Sequence, residues 1–229
     1  MALYFGRADC FWGVAGYLQS DNLLSMDKEE ALRELKKEIE ARTNLPLYSE
    51  ANLVFGEGSS DAKVLFIGEA PGFHEDKLSR PFVGQAGKLL DKLLAEISWP
   101  RESVYITNIV KRRPPENRDP LPEEIEAYKP FLERQIKIIN PEIIATLGRY
   151  SMNYFLPLAK ISRDHGNPEY FENYLIMPLY HPAAALRATA VLKDLQNDFK
   201  KLPEILKNPP PKKGEIKIET KEDKQGSLF

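Results

Sequence analysis

Residues 63–72 read KVLFIGEAPG, an almost continuous apolar run that ends in a turn rich in glycine and proline. Three later stretches have the same apolar character: SVYITNIV at 103–110, EIIATLG at 142–148 and LIMPLYH at 175–181. Such runs are typical of strands in a parallel sheet that helices cover on both faces. We therefore predict four buried strands, with the first at 63–69.

Helical patterns stand between and around these strands. An acidic and basic segment with apolar residues on one face covers 27–42, and similar amphipathic patterns cover 84–97, 122–139 and 148–156. A last helix is predicted from about Pro182 to Ile205. This alternation predicts an α/β fold: a three-layer α/β/α sandwich with a central, mostly parallel four-stranded sheet. Ligands of such folds bind at the carboxyl ends of the strands.

The chain has 229 residues, which suits one such domain, and we place that domain at 26–206. Residues 1–25 are expected to form a flexible N-terminal extension. Residues 207–229 are rich in proline, lysine and glutamate, so they cannot bury enough apolar surface to fold alone and are predicted to be a disordered tail.

The composition narrows the class of protein. The formal net charge is −2, so any nucleic-acid contact must come from a local basic cluster. A single cysteine, Cys10, excludes an internal disulfide framework and a cysteine-rich metal site within one chain. A reducing, cytoplasmic location is therefore expected. We find no apolar run long enough for a membrane span, and expect no membrane partner.

The first chemical feature is the turn after the first predicted strand, which runs on into Arg80-Pro81-Phe82-Val83-Gly84-Gln85-Ala86-Gly87. Small residues allow the backbone to approach a ligand closely. The helix that begins near Gly84 offers free amide donors to an anion. Taken alone, the same residues also fit an ordinary strand-to-helix turn.

Two further features lie at the ends of the second and fourth predicted strands. Asn108 stands in an apolar strand, and a buried amide needs partners from the backbone or from a ligand. His181 closes the fourth strand, and Pro182 after it favours the start of a helix. Either residue, considered alone, is as compatible with a purely structural role.

A basic loop broken by two prolines follows Asn108. Its cations suit contacts with phosphate groups, although a solvated run of charge is the common alternative. These cations are Lys111, Arg112, Arg113 and Arg118.

Together, GEAPG with RPFVGQAG, TNIVKRRPPENR and HPAAALR make the chain resemble family 4 of the uracil-DNA glycosylase superfamily over residues 40–205. The resemblance implies uracil excision from DNA in base excision repair by a hydrolase acting on N-glycosyl bonds. It also implies a role for each motif residue. Phe82 stacks on uracil, Asn108 recognises its edge, His181 donates to its O2, and Glu75 directs the attacking water. Backbone groups around Glu69 and Ala70 contact the base.

The resemblance also assigns a surface to DNA. Leu186 and Arg187 are expected to enter the duplex as the base leaves it, because an extruded base leaves a gap. The four cations of the basic loop are expected to contact phosphates. We expect a monomer acting on uracil-containing DNA.

One departure from the family concerns its iron–sulfur cluster, which four cysteines hold in most members. The matching positions here are Arg42, Leu45, Arg112 and Tyr128. None of these side chains is a thiolate, and such clusters require thiolate ligands. We therefore predict a member without metal or cofactor, in which Leu45 and Tyr128 fill the vacated volume as an apolar plug.

The chain ends in Gln225-Gly226-Ser227-Leu228-Phe229, which is similar to the short peptides that dock on bacterial sliding clamps. Gln225, Leu228 and Phe229 are the candidate contacts, and a meaningless polar end is the alternative. A flexible tethered peptide of this kind raises the effective concentration of an enzyme on DNA.

Three rival functions remain open from the sequence. A related branch traps uracil-DNA covalently through a histidine in the basic loop, but the loop at 111–118 contains no histidine. A non-catalytic binder of uracil-DNA is disfavoured by the joint presence of Glu75, Phe82, Asn108 and His181. A nucleotide-binding enzyme is disfavoured because no Lys-Ser or Lys-Thr follows the glycines, as a P-loop requires.

Overall fold

The computed structural model of the protein describes residues 27–212. The predicted extension at 1–25 lies outside the described residues. So does most of the predicted tail, including the candidate clamp peptide at 225–229.

The four predicted strands form the centre of the sheet and run parallel to one another. They are β2 (Val64–Gly68), β3 (Tyr105–Asn108), β4 (Ile143–Leu147) and β6 (Tyr174–Leu179). Two short antiparallel strands extend the sheet at its edges: β1 (Glu57–Gly58) on β3, and β5 (Glu169–Phe171) on β6. The six strands lie in the order β1-β3-β2-β4-β6-β5, so the predicted number of four was too low. Strands of two and three residues carry too little periodicity to be recognised in a sequence.

Eight α-helices surround the sheet in the described part of the chain. They are α1 (Lys28–Ala41), α2 (Phe73–Leu78), α3 (Gln85–Glu96), α4 (Pro122–Ile139), α5 (Arg149–Phe155), α6 (Ile161–Asp164), α7 (Pro182–Ala185) and α8 (Thr189–Lys207). Short 3₁₀ turns lie at Arg101–Ser103 and Pro115–Asn117. The helix predicted from Pro182 to Ile205 is therefore two helices, with a break at 186–188. Within 27–212, no helix has the length and apolar character that crossing a membrane requires.

Alternation of side chains along each strand divides the core into two halves. On β2, Leu65 and Ile67 point to one face while Val64 and Phe66 point to the other. Helices α1 and α4 pack together over the first face, and α3 and α8 pack over the second. Every residue of β2 is buried, as expected for a strand covered on both sides. The predicted three-layer sandwich is confirmed.

The strand order places a crevice at the carboxyl edge of the sheet. The connection through α3 carries the chain from β2 to β3 on one side, and α4 carries it back across β2 to β4 on the other. Such a reversal is a topological switch point, where α/β folds bind ligands. It brings together Gly68, Asn108, Gly148 and His181, which end or follow the four parallel strands.

The four positions at which the resemblance implies cysteines lie on or beside α1, α4 and the loop after β3: Arg42, Leu45, Arg112 and Tyr128. Tyr128 is fully buried, and its hydroxyl donates to the Pro46 carbonyl oxygen at 2.7 Å. Leu45 is half-buried and packs against the same core. Burial raises the pKa of Tyr128 to about 12, which keeps its hydroxyl protonated as a donor.

The filling of this region is not purely apolar, which corrects the expected plug of Leu45 and Tyr128. The guanidinium of Arg112 enters it, lies 4.8 Å from the centre of the Tyr48 ring and donates to the Ala51 carbonyl oxygen. The side chain of Arg112 can enter because its long stem packs against apolar groups while its head finds a carbonyl and an aromatic face. Arg42 stays outside, paired with Glu38.

Removal of the Tyr128 hydroxyl should expose how much its hydrogen bond stabilises this region. Tyr128→Phe is expected to lower the free energy of unfolding by about 1 kcal/mol, because the Pro46 carbonyl loses its donor. Urea unfolding at constant slope would measure the change. Tyr48→Phe is the matched control, since it keeps the ring under Arg112, and should stay within about 0.5 kcal/mol of wild type. Equal effects of the two substitutions would contradict the assignment.

Candidate active site

Three residues converge at the end of β2. A β-carbon added at Gly68 would lie 2.4 Å from Oδ1 of Asn108 and 2.6 Å from Cζ of Phe82. No side chain fits at this position without displacing the amide or the ring. Because Gly68 has no side chain, the amide and the ring lie directly against the end of β2. We call the part of the crevice that this amide and this ring border the slot.

The backbone of Phe82 is strained. Its φ is +50°, in the left-handed region that bulky residues rarely adopt, at a cost of about 1 to 3 kcal/mol. Helix α3 comes so close that a β-carbon on Gly87 would lie 1.8 Å from the Phe82 carbonyl oxygen. Glycine at 87 therefore allows the loop to hold the ring, which is itself 6% exposed, at the mouth of the slot. Strain maintained in this way is typical of functional sites.

Asn108 carries an unmet hydrogen-bonding group. The residue is 2% exposed, and its Oδ1 has no hydrogen-bond partner within the described residues. A buried acceptor without a partner is costly, so its retention indicates a ligand that donates to it.

Lys111 supports Asn108 from behind, which corrects its expected role in phosphate binding. The side chain is fully buried, and its Nζ donates to the backbone oxygen of Asn108 and to Thr107 Oγ1, both at 2.7 Å. Burial holds the pKa of Lys111 well below its usual value. These two acceptors use two of the N–H groups of Nζ. A side chain so enclosed does not reach a phosphate.

His181 is held as a neutral donor. Its Nδ1 accepts a hydrogen bond from the Ala183 amide at 3.0 Å, so the ring proton must lie on Nε2. Burial lowers the pKa of His181 to about 4, and the negative charge of Glu75 only partly opposes this shift. Its ring centre lies 5.7 Å from that of Phe82, so the donor stands beside the slot. A β-carbon on Gly148 would approach the His181 β-carbon to 3.0 Å, so Gly148 makes room for it.

Glu75 joins α2 to the loop that carries Phe82. Its Oε1 accepts hydrogen bonds from the amides of Val83 at 2.9 Å and Gly84 at 2.8 Å. The other oxygen lies against Gly72, where a β-carbon would be 2.8 Å away. The carboxylate therefore has a structural partner at one oxygen and stands close enough to His181 to affect its pKa.

A second carboxyl group, the side chain of Glu69, lies at the same edge of the sheet. Burial raises the pKa of Glu69 to about 7, the negative charge of Asp119 adds to the increase, and Arg149 partly opposes it. Asp119 in turn accepts a hydrogen bond from the Tyr150 hydroxyl. The sequence predicts a contact with the base only for the backbone of Glu69. It does not predict Asp119, Arg149 and Tyr150 near this carboxyl group, because their proximity depends on the switch in strand order. Ala70, the next residue, packs against the core.

The basic loop contributes less exposed charge than its sequence indicates. Arg112 is 6% exposed and faces the core region described above, so its expected phosphate contact is also corrected. Arg113 is half-buried, bonds to Asn117 Oδ1 at 2.7 Å and lies 5.3 Å from the centre of the Phe73 ring. Arg118 is exposed and forms a fork with Glu124.

The break between α7 and α8 exposes the two residues expected to enter DNA. Leu186 is 52% exposed, and Arg187 is also exposed. The chain turns here because Ala188 adopts an extended conformation before α8 begins. An apolar side chain raised on a sharp corner has the shape of a wedge between bases.

Among residues 27–212, no group of three or more His, Cys, Asp or Glu side chains could hold a metal ion. The side chains at the four family cysteine positions do not fit an iron–sulfur cluster, because two are guanidinium groups, one is apolar and one is a buried phenol donating to a carbonyl.

Comparison with known proteins agrees with this geometry. The family model described as the uracil DNA glycosylase superfamily matches residues 55–207. A type-4 uracil-DNA glycosylase of Sulfurisphaera tokodaii is 44% identical over 191 residues, which cover 79% of this chain and 87% of the relative. One of Saccharolobus solfataricus is 48% identical, covering 69% and 78%. One of Thermotoga maritima is 43% identical, covering 70% and 85%.

The matched segment contains the strand ends, the Phe82 loop and the corner at Leu186, so the similarity covers the whole site. The sequence motifs, the switch-point crevice and these relatives agree, and the chain belongs to the uracil DNA glycosylase superfamily, in its type-4 (family 4) branch.

Proposed function

We propose that this chain is a uracil-DNA glycosylase that hydrolyses the bond between uracil and deoxyribose and leaves an abasic site. The observation that carries the proposal is the unpaired, buried Oδ1 of Asn108 beside the Phe82 ring. Uracil offers a flat face to the ring and an N3–H donor to that oxygen.

Selectivity for uracil over cytosine follows from the oxygen and the nitrogen of the Asn108 side-chain amide. Asn108 can accept from uracil N3–H through Oδ1 and donate to O4 through Nδ2. Cytosine presents an acceptor at N3 and a donor at N4, the reverse pattern. A cytosine in the slot would leave both ends of a buried amide unpaired, and such mismatches are rejected strongly. Lys111 keeps the amide in register by holding the backbone of Asn108.

His181 stabilises the leaving group. When the C1′–N1 bond breaks, its electron pair stays with uracil, and the negative charge spreads to O2. The Nε2–H of neutral His181 donates to that oxygen as the charge develops, which is where a preorganised donor has its effect.

Glu75 acts on the water that attacks the sugar. As the sugar becomes cationic, a water oxygen forms a new bond to C1′ and gives up a proton to the carboxylate. One oxygen of Glu75 is already held by two backbone amides, so the carboxylate is fixed in orientation before the reaction. Glu69, with a pKa of about 7, is a second carboxyl at the same edge that can share in proton transfer.

The exposed side chains around the slot form the DNA surface. Leu186 and Arg187 occupy the gap that the extruded nucleotide leaves. Arg113 and Arg118 lie in the loop after β3 and supply phosphate contacts, in place of the four cations expected from the sequence.

We also propose that the enzyme works without an iron–sulfur cluster. The Tyr128 hydrogen bond to Pro46 and the Arg112 contacts with Tyr48 and Ala51 join the same segments in its absence. None of these residues borders the slot, so catalysis does not depend on the replacement. A covalent trap is the second candidate, but residues 111–118 contain no histidine to act as the nucleophile.

A cleavage assay on iron-quantified protein tests both proposals. Wild type should convert a labelled oligonucleotide with one uracil into an alkali-sensitive product, with substoichiometric iron.

Asn108→Ala should cut the rate by about 10²-fold or more, because its recognition of the base is lost. Glu75→Gln keeps the bonds to Val83 and Gly84 but removes the charge, and should lower kcat by about 10²- to 10⁴-fold. Retained uracil-DNA without turnover would favour the binding or trapping protein, and stoichiometric iron would refute the cluster-free proposal.

The protonation of His181 can be measured directly. Because its folded pKa is below the usual 6.5, the ring should stay neutral from pH 8 down through pH 5 and gain a proton only near pH 4. The chain has three histidines, so the ring resonance missing from His181→Asn identifies it in the NMR spectrum. A chemical-shift titration of that resonance with a midpoint near 6.5 would contradict the neutral-donor assignment.

We further propose that the chain end, Gln225 to Phe229, docks on a sliding clamp, with Leu228 and Phe229 entering an apolar pocket. Deletion of 225–229 should abolish binding to an immobilised bacterial clamp, with Leu228→Ala plus Phe229→Ala giving the same loss. Cleavage of a short oligonucleotide in the absence of clamp should not change. Unaltered clamp binding by the deleted chain would end this proposal.

A further inference from the structure

Arg101 lies outside the sequence motifs quoted above, but its guanidinium contacts three separate parts of the structure. It donates from Nε to Glu57 of β1 at 2.9 Å and from Nη1 to Asp91 of α3. From Nη2 it donates to the carbonyl oxygen of Pro81 at 2.7 Å. The side chain is 19% exposed, so solvent has only partial access to this junction.

The Pro81 carbonyl belongs to the peptide immediately before Phe82. Phe82 has a φ of +50° and would relax toward ordinary conformations if its flanking peptides were free. Glu75 holds the peptides on the far side, through the amides of Val83 and Gly84. The peptide before Phe82 is held by Arg101, through the Pro81 carbonyl. The strained residue is therefore clamped between a carboxylate after it and a guanidinium before it.

We propose that Arg101 is a positioning residue for catalysis, which acts through the Pro81 carbonyl to hold the Phe82 ring in the orientation that stacks on the extruded base. This inference rests on the proposed function, since it assigns Phe82 to uracil. Arg101 itself does not touch the substrate.

The chemistry of the junction requires a guanidinium. Only a planar fork with donors on three nitrogens can reach a carbonyl and two carboxylates at once in fixed directions. The carboxylate of Glu57 is also held from the other side by Arg80, at 2.7 Å. Partial burial works against ionisation of Glu57, but the hydrogen bonds from Arg80 and Arg101 hold its pKa below the usual range. The anchor for Arg101 is thus charged at neutral pH.

Arg80 is a matched control within the same cluster. It pairs with the same carboxylate of Glu57 but is largely exposed, and within residues 27–212 the hydrogen bonds of its side chain all go to that carboxylate. Arg80→Met therefore removes a guanidinium from Glu57 and leaves the bond from Arg101 to Pro81 in place.

Single-turnover cleavage of a uracil oligonucleotide would test the proposal in the full chain. Arg101→Met is expected to lower the cleavage rate by about 10- to 100-fold, because small misplacements of a substrate-holding group have effects of this size. Affinity for the DNA should change little, since phosphate contacts lie elsewhere. Arg80→Met should stay within about threefold of wild type. Arg101→Lys keeps the positive charge but lacks the planar guanidinium, so its cleavage rate should resemble that of Arg101→Met. The lysine variant replaces the methionine variant in the test if the latter does not fold.

A double-mutant cycle separates positioning from general stability. In a Phe82→Ala background the ring is gone, so Arg101→Met should cost no more than about threefold further, whereas a structural role would give the same fold loss in both backgrounds. All rates are taken at a temperature where melting curves show each variant folded. Equal losses with and without Phe82, or full activity of both Arg101 variants, overturn the proposal. An inactive wild type would instead defeat the proposed function, so the two failures are distinguishable.

Discussion

Burial of the four parallel strands on both faces governs where this molecule can perform chemistry. A strand covered by helices on either side has room for apolar side chains and little else, and β2 and β4 consist entirely of buried residues. Polar groups are consequently confined to the strand ends, where the backbone leaves the sheet. Because parallel strands end at one edge, Asn108, Gly148 and His181 meet there although they are far apart in the chain. The crossing of α4 from one side of β2 to the other opens the crevice between them.

The site depends on close approaches that only glycine permits and on strain that several contacts maintain. Gly68 lets the Asn108 amide and the Phe82 ring lie against the end of β2, and Gly87 lets helix α3 touch the carbonyl of Phe82. The unfavourable conformation of Phe82 lowers stability, and the hydrogen bonds of Glu75 on one side and Arg101 on the other offset that cost. The ring is thus placed before any base arrives. Preorganisation of this kind means that binding energy is not consumed in ordering the loop.

The region between α1, α4 and the loop after β3 shows how a few side chains can join segments that are distant in the chain. Here a buried tyrosine reaches the Pro46 carbonyl, and Arg112 spans an aromatic face and the Ala51 carbonyl. These contacts are individually weak, but they are made by residues that α4 and the loop after β3 already present. Because Arg112 is enclosed in this region, its charge contributes little to the exposed surface of the loop after β3.

Local sequence patterns were sufficient to predict much of the structure of this protein. Apolar runs identified the four central strands, amphipathic periodicity identified most helices, and the joint motifs identified the family. The motifs also singled out Phe82, Asn108 and His181, which the structure brings to one edge of the sheet. These features depend on near neighbours in the chain, so a sequence contains them. The tertiary structure alone decided which charged side chains are buried. The sequence predicts phosphate contacts for Lys111 and Arg112, but both side chains are buried in the folded chain. It also decided the break at Leu186, the raised pKa of Glu69 and the reach of Arg101 to Pro81, because each arises from groups that only the folded chain brings into contact.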